Sequence, residues 1–301
     1  MANAYSGTTE EFTEPYLTIN EFKAAPTGIS TNNLVGQNLG PNNFQDPLAQ
    51  DNELYNNIVR ASSWMDSYCN QVLAATNQSE NLRVRTSSDG TVRIHPKYSP
   101  IIALTSFSYG SPGDLTSITD VSTAWIEDQQ IIMPLGNLFF TSSSGPLQFG
   151  WGGSAGSELF INLQYIAGYP NTTIVSATAG QSSLVVNTPT GILAGQMLNI
   201  YDGTDSELVT VSSTYTFGQS TIPLVSPLQN THAAGVGISS MPAAIKQAAI
   251  LVTAGFLKIR GDKAMVMSLT STPSKPVSGA RGIPHDLALA QELLLPYRRV
   301  R

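Results

Sequence analysis

The chain has 301 residues, 15 Lys and Arg against 21 Asp and Glu, a formal charge of −6 and one cysteine. Its charged fraction of 12 % is roughly half that of an ordinary soluble domain, and so thinly charged a surface favours association with other chains. One cysteine, Cys69, excludes an internal disulfide, no apolar run approaches the ~18 residues that span a bilayer, and the acidic balance disfavours a general nucleic-acid binder.

Residues 1–50 are polar and rich in Pro, Gly and Asn pairs, with no visible signal peptide, and predict an extended arm. Only Tyr16-Leu17-Thr18-Ile19 reads there as a short packed segment. Asp51 is the expected N-cap of a long helix, with Glu53 in its first turn. Leu54, Ile58, Ala61, Met65, Tyr68 and Val72 recur at helical spacing, and the helix is expected to stop near Thr76-Asn77.

A β-region follows. Leu82–Arg85 and Thr91–Ile94 alternate around Ser87-Ser88-Asp89-Gly90, which predicts a hairpin. Ile101–Tyr109, Ala124–Ile126, Gln130–Met133 and Leu159–Tyr165 are further strands. Residues 172–240 carry almost no basic residues and predict short strands at Thr173–Val175, Leu184–Val186, Met197–Tyr201, Glu207–Val211, Thr221–Val225 and Gly235–Ile238. Helical spacing returns after Pro242. Ala244, Ile245, Ala248, Ala249, Leu251, Val252, Phe256 and Ile259 are apolar nearly all round, so a deeply buried helix ending at Gly261 is expected. A last amphipathic helix, from about Pro284 to Leu295, uses Leu287, Ala290, Leu293 and Leu294. The pattern divides the chain into an arm (1–50), a core domain (51–171 and 241–301) and an inserted β-domain (172–240).

Local signatures of chemistry are weak. His95, His232 and His285 lie far apart and read as surface or capping residues, with no metal-ligand spacing among them. Gly152-Gly153-Ser154-Ala155-Gly156 matches the nucleophile-elbow pattern, but a strand rather than a helix follows it, so a glycine-rich turn is the better reading. The acidic turn Asp202–Glu207 lacks the ligand spacing of a calcium loop and reads as a hairpin turn. No catalytic residue, cofactor or metal site is expected, and no enzyme. Arg83, Arg85 and Arg93 fall in the predicted hairpin, and Arg298, Arg299 and Arg301 close the chain. Either set can be solvated or can dock onto an acidic partner, where Arg offers bidentate contacts.

Several segments, taken in order, carry a resemblance: Tyr16-Leu17-Thr18-Ile19-Asn20-Glu21, Ala61-Ser62-Ser63-Trp64-Met65-Asp66-Ser67-Tyr68-Cys69, Arg93-Ile94-His95-Pro96, Ser99–Leu104, Phe160–Tyr169, Pro242–Ala248 and Leu293–Arg299. Together they resemble the head–tail connector (adaptor) proteins of tailed bacteriophages and related gene transfer particles. The resemblance covers residues 50–170 and 240–301; the insert and the long arm depart from it. It implies an α+β fold with a helical adaptor core (long N-terminal helix, buried C-terminal helix, last amphipathic helix), a β-region and an inserted small all-β domain. It implies a structural protein of the virion neck, at the head–tail junction, assembled in the host cytoplasm. Twelve copies would form a ring that binds the portal protein, receives a stopper or tail-completion protein, and lets double-stranded DNA pass without specific binding, with no membrane partner. Leu287, Leu293, Leu294, Tyr297, Arg298, Arg299 and Arg301 are the expected partner contacts. The rival expectations are a carbohydrate-binding or structural tail or baseplate protein, with an aromatic patch from Trp125, Trp151 or Tyr201, and a hydrolase using Ser154.

Overall fold

The computed structural model describes residues 14–32, 34–35, 47–85, 87, 91–135, 158–261 and 285–299. The chain divides into two compact units, one from Met1–Ala74 with Pro170–Arg301, the other from Ala75–Tyr169.

The first unit begins with a strap, Glu14–Ala25, that contains helix α1 (Ile19–Ala24). Six residues are too few to hold a helix in water. A capping box fixes this one: the Glu21 N–H donates to Thr18 Oγ1 (3.2 Å) and the Thr18 N–H to Glu21 Oε2 (2.5 Å). Helix α2 (Pro47–Cys69) buries Leu54, Ile58, Ala61, Met65 and Cys69. Its start lies four residues before the expected N-cap, so Asp51 sits inside the helix and pairs with Lys23 instead (2.5 Å). Its end comes early for a local reason. Asn70 adopts a left-handed conformation (φ 55°) and the Gln71 N–H reaches back to the Asp66 carbonyl (3.2 Å), which closes the last turn as a Schellman motif. Val72 and Thr76-Asn77 therefore lie outside the helix.

Helix α3 (Ala243–Gly261) and helix α4 (His285–Leu294) complete the helical layer, with Ile245, Ala248, Ala249, Val252, Leu287, Ala290 and Leu294 buried. Gly255 permits the approach of α4: a Cβ there would lie 3.2 Å from Leu287 Cγ. The same unit holds β8 (Asn171–Ser176), β9 (Ser183–Val186), β10 (Met197–Tyr201), β11 (Glu207–Thr210), β12 (Thr221–Pro223) and β13 (Gly237–Ser239). They form one antiparallel sheet in the order β11-β10-β13-β8-β9-β12. The sheet curls until its edges meet, through a bridge between Val211 and Leu224 and a bond from the Val225 N–H to the Thr210 carbonyl (2.9 Å). Inside lies an apolar cluster of its own, from Ile174 to Ile238.

The second unit is all β. A four-stranded sheet runs β1 (Thr76–Arg85), β7 (Glu158–Ala167), β3 (Ile101–Ser111), β4 (Asp114–Ile118). A three-stranded sheet runs β2 (Thr91–Ile94), β6 (Gln130–Pro134), β5 (Trp125–Glu127). Val92, Ile94, Ile131 and Met133 from one sheet share a core with Phe107, Ile161, Leu163 and Tyr165 from the other. The expected hairpin between Leu82–Arg85 and Thr91–Ile94 does not form. β1 pairs along its whole length with β7, from Thr76↔Ala167 to Arg85↔Glu158, while β2 pairs with β6. Both segments alternate, but burial of both inner faces is satisfied by putting them in opposite sheets.

The expected helical adaptor core is overturned. The fold is mostly β, 35 % strand against 28 % helix, with thirteen strands and four helices among the described residues. Three features produced the error: α2 stops seven residues early, β1 begins where helix was expected, and β4 has no apolar alternation to announce it, being exposed from Asp114 to Ser117 with only Ile118 packed on the core.

At the centre of the first unit lies Lys246 of α3. Its ammonium is buried and donates to Glu21 Oε1 (2.9 Å) and the Tyr16 carbonyl (2.8 Å), with Asn171 Oδ1 at 3.5 Å and the Tyr201 ring centroid at 4.4 Å. Removing one member of a buried pair leaves the other charge uncompensated. Lys246→Met is therefore expected to lower the unfolding free energy by about 3–5 kcal/mol, read by urea denaturation followed by circular dichroism; a loss within error of zero would remove the ion pair from the account of this fold.

Candidate attachment surface

The expected partner-contact residues divide by environment. Leu287 and Leu294 are buried in packing α4 against its own unit, Leu293 is half-buried, and Arg301 lies outside the described residues. The segment after α4 is tied to the end of α2. Gln71 Nε2 donates to the Tyr297 carbonyl (2.9 Å), the Arg299 N–H to the Cys69 carbonyl (2.9 Å), and Asn70 Nδ2 to the Arg299 carbonyl (3.2 Å). These bonds hold the main chain and leave the Arg298 side chain over the Tyr68 ring, 5.2 Å from its centroid.

One turn back along α2, Trp64 stacks on Tyr68 with centroids 5.5 Å apart and planes 7° apart. Tyr68 also donates from its hydroxyl to the Gln291 carbonyl (3.3 Å), which fixes the middle ring to α4. The result is a ladder of Trp64, Tyr68 and Arg298, beside an exposed Leu295 (60 %). Tryptophan, tyrosine and arginine are the residues most often found to dominate binding energy at interfaces. Arg298 can present a guanidinium fork to a carboxylate from a ring that already orients it. The i, i+4 spacing of Trp64 and Tyr68 was visible in the sequence, but Arg298 joins them only through the fold.

The other sequence candidates are placed as follows. Arg83 and Arg85 are exposed on one face of β1, with Arg85 3.7 Å from Glu158, and Arg93 is exposed on β2. Trp125 is exposed on β5 in the second unit, whereas Tyr201 lies in the first unit with Lys246 over its ring. Trp151 and the Gly152–Gly156 motif with Ser154 lie outside the described residues. A groove of about 250 Å³ is lined by Ala25, Pro26, Gln247, Ile250, Lys258 and Asp286, of which the last two already pair at 2.6 Å. Among the described residues, no group of three or more His, Cys, Asp or Glu is arranged to hold a metal ion.

His232 departs from expectation. It is buried rather than superficial, with Nδ1 2.9 Å from Asp202 Oδ2 and Nε2 2.8 Å from Glu207 Oε1. The Gln229 and Asn230 N–H groups donate to the same Glu207 carboxylate, so the acidic turn after β10 is fastened to the 228–235 loop. Burial alone pushes the imidazole down, but the two carboxylates outweigh it and raise its pKa above the ordinary 6.5. The protonated clip thus stabilises fully below pH 6.5 and is lost as pH rises through that raised value. The β8–β13 sheet is expected to melt at a lower temperature at pH 9 than at pH 6, and His232→Gln to remove that difference; equal melting temperatures in the wild-type chain would refute the clip.

Comparison with known protein families, with characterised proteins and with solved structures finds no match to this chain.

Proposed function

We propose that the chain is a structural head–tail adaptor of a tailed phage or related gene transfer particle. It assembles as a twelve-fold ring between the portal protein and a stopper or tail-completion protein, extends the DNA channel, and resides in the virion at the head–tail junction. One observation carries this reading. Four segments of the resemblance, Tyr16–Glu21, Ala61–Cys69, Pro242–Ala248 and Leu293–Arg299, are scattered over the whole chain, yet they touch one another in the first unit through Tyr16–Asp66, Lys246–Glu21 and Arg299–Cys69. The net charge of −6 supports it as well, since DNA sliding through a lumen must not be held by neutralised phosphates.

Attachment to the portal runs through the Trp64–Tyr68–Arg298 ladder and Leu295. The buried leucines of α4 are not free to bind, so removal of the helix would test stability instead of binding. The variant of choice is Arg298→Glu. A lost hydrogen bond to a charged group is worth about 1.5–3 kcal/mol, so affinity for portal rings in co-sedimentation is expected to fall about ten- to hundredfold, while loss of the contact with Tyr68 lowers stability by only about 0.5–1 kcal/mol. Undiminished binding would rule out this surface. Negative-stain images should show rings, alone or on portal; monomers under both conditions would overturn the adaptor reading. The alternative, a carbohydrate-binding or structural tail or baseplate protein, has the exposed Trp125 in its favour and predicts no portal binding.

A further inference from the structure

The strap Glu14–Ala25 enters the first unit beside a carboxylate, Asp66, that has no counter-ion among the described residues. Tyr16 is fully buried, its N–H donates to Ser62 Oγ (3.0 Å), and its hydroxyl donates to Asp66 Oδ1. The Leu73 N–H donates both to Tyr16 Oη (2.9 Å) and to Asp66 Oδ1 (3.2 Å). Asp66 thus joins three pieces of chain: the strap, the last turn of α2 and the Asn70–Ala74 loop. The other titratable or charged groups around this cluster are Cys69 on α2, Arg298 on the C-terminal segment, and Lys246 with Glu21 on the far side of Tyr16. Among the described residues none of them pairs with Asp66. Lys246 is engaged by Glu21 and the Tyr16 carbonyl, and Arg298 lies over Tyr68.

Among the described residues an ionised carboxylate in that position has two donors and no cation, so docking of the strap favours the neutral acid. We propose that Tyr16 and Asp66 form a proton-linked latch: the N-terminal strap closes on α2 with uptake of one proton at Asp66 and loosens as that proton is lost. Burial outweighs the hydrogen bonds from Tyr16 and Leu73 and pushes the Asp66 carboxyl up to about 7. When the strap lifts, Asp66 meets water and returns toward the ordinary carboxylate value near 4. The direction follows. Strap closure is strongest below about pH 4, weakens through the interval from about 4 to about 7, and is level above it. Lifting the strap also parts Glu21 and the Tyr16 carbonyl from Lys246, a cost that protonation of Asp66 leaves unchanged, so it sets the level of protection while Asp66 sets the pH dependence.

The test is amide hydrogen exchange of Tyr16–Phe22 in the full chain, with rates corrected for the intrinsic effect of pH. Protection is expected to fall about tenfold per pH unit from 5 to 7 and then level off. In Asp66→Asn, which keeps an acceptor but cannot ionise, protection should be flat over the same range. Tyr16→Phe should weaken protection at every pH and keep the slope. The ¹³C-carboxyl shift of Asp66 in the wild-type chain gives a second reading that needs no variant, with a midpoint expected near 7. A midpoint below 5, flat wild-type protection between pH 5 and 7, or an unchanged slope in Asp66→Asn would each overturn the latch.

Discussion

The first unit is organised around the demands of one ammonium group. Lys246 sits in a helix whose neighbours Ile245, Ala248 and Ala249 are buried apolar residues, and burial pushes its pKa down against the pull of Glu21. Such a charge is tolerated only where acceptors are brought to it. They come from three places: the strap supplies the Tyr16 carbonyl and Glu21, β8 supplies Asn171, and β10 supplies the face of Tyr201. Each partner is held at a fixed distance from the same nitrogen, so α3, the strap and the curled sheet are set in position together. A buried ion pair is weak evidence for stability, since an apolar replacement of the whole cluster can do as well. Its value here lies in register. An apolar side chain would accept many arrangements of the strap, and the ammonium accepts few.

Smaller features follow from that arrangement. Glu21 uses one oxygen to cap α1 and the other to meet Lys246, so the six-residue helix persists. β13 must pass close to the strap, and position 237 is glycine because a Cβ there would meet Glu21 Oε1 at 2.9 Å. The Asn70–Ala74 loop then becomes the point where both ends of the described chain are fastened. Leu73 donates to Tyr16, while Asn70 and Gln71 donate to Arg299 and Tyr297. An early, tightly closed end to α2 is what frees those groups to do so. A helix continuing to Thr76 would have joined the Leu73 N–H to the Cys69 carbonyl internally, taking one backbone anchor from each segment.

Much of this was legible in the sequence, and the failures are informative. The strand Met197–Tyr201 and the helix after Pro242 fall where alternation and helical spacing placed them. Local patterns end there. The capping box Thr18-x-x-Glu21 was present but short, and a six-residue helix gives no periodic stripe. Asn70 as a helix terminator was hidden because Val72 extends the apolar spacing by one more turn. The wrong hairpin arose because alternation reports that a strand has an inner face and is silent on which sheet supplies the partner. His232 and Lys246 share a signature that went unused. Each is a single ionisable residue amid apolar or neutral neighbours, and its counter-charge lies 25 and 225 residues away in sequence.

The strand count and the functional reading bear on different things. Fold content is a sum over all segments, and the all-β unit together with the curled sheet supplies most of it. Function resides in sites, and a site can be built from a minority of the chain. Of the seven segments behind the proposed reading, Arg93–Pro96, Ser99–Leu104 and Phe160–Tyr169 lie in the all-β second unit, and the other four lie in the strap, three helices and the final residues of the first. The four in the first unit are fastened to one another by a buried ion pair, a shared loop and an aromatic–arginine ladder. The curled sheet keeps an apolar cluster of its own, yet Asn171 and Tyr201 on two of its strands reach the same ammonium as the strap. A β-module attached in that way adds strands to the total without displacing the helical layer. The mostly β composition therefore corrects the architecture, and the Trp64–Tyr68–Arg298 cluster stays where α2 and the chain end put it.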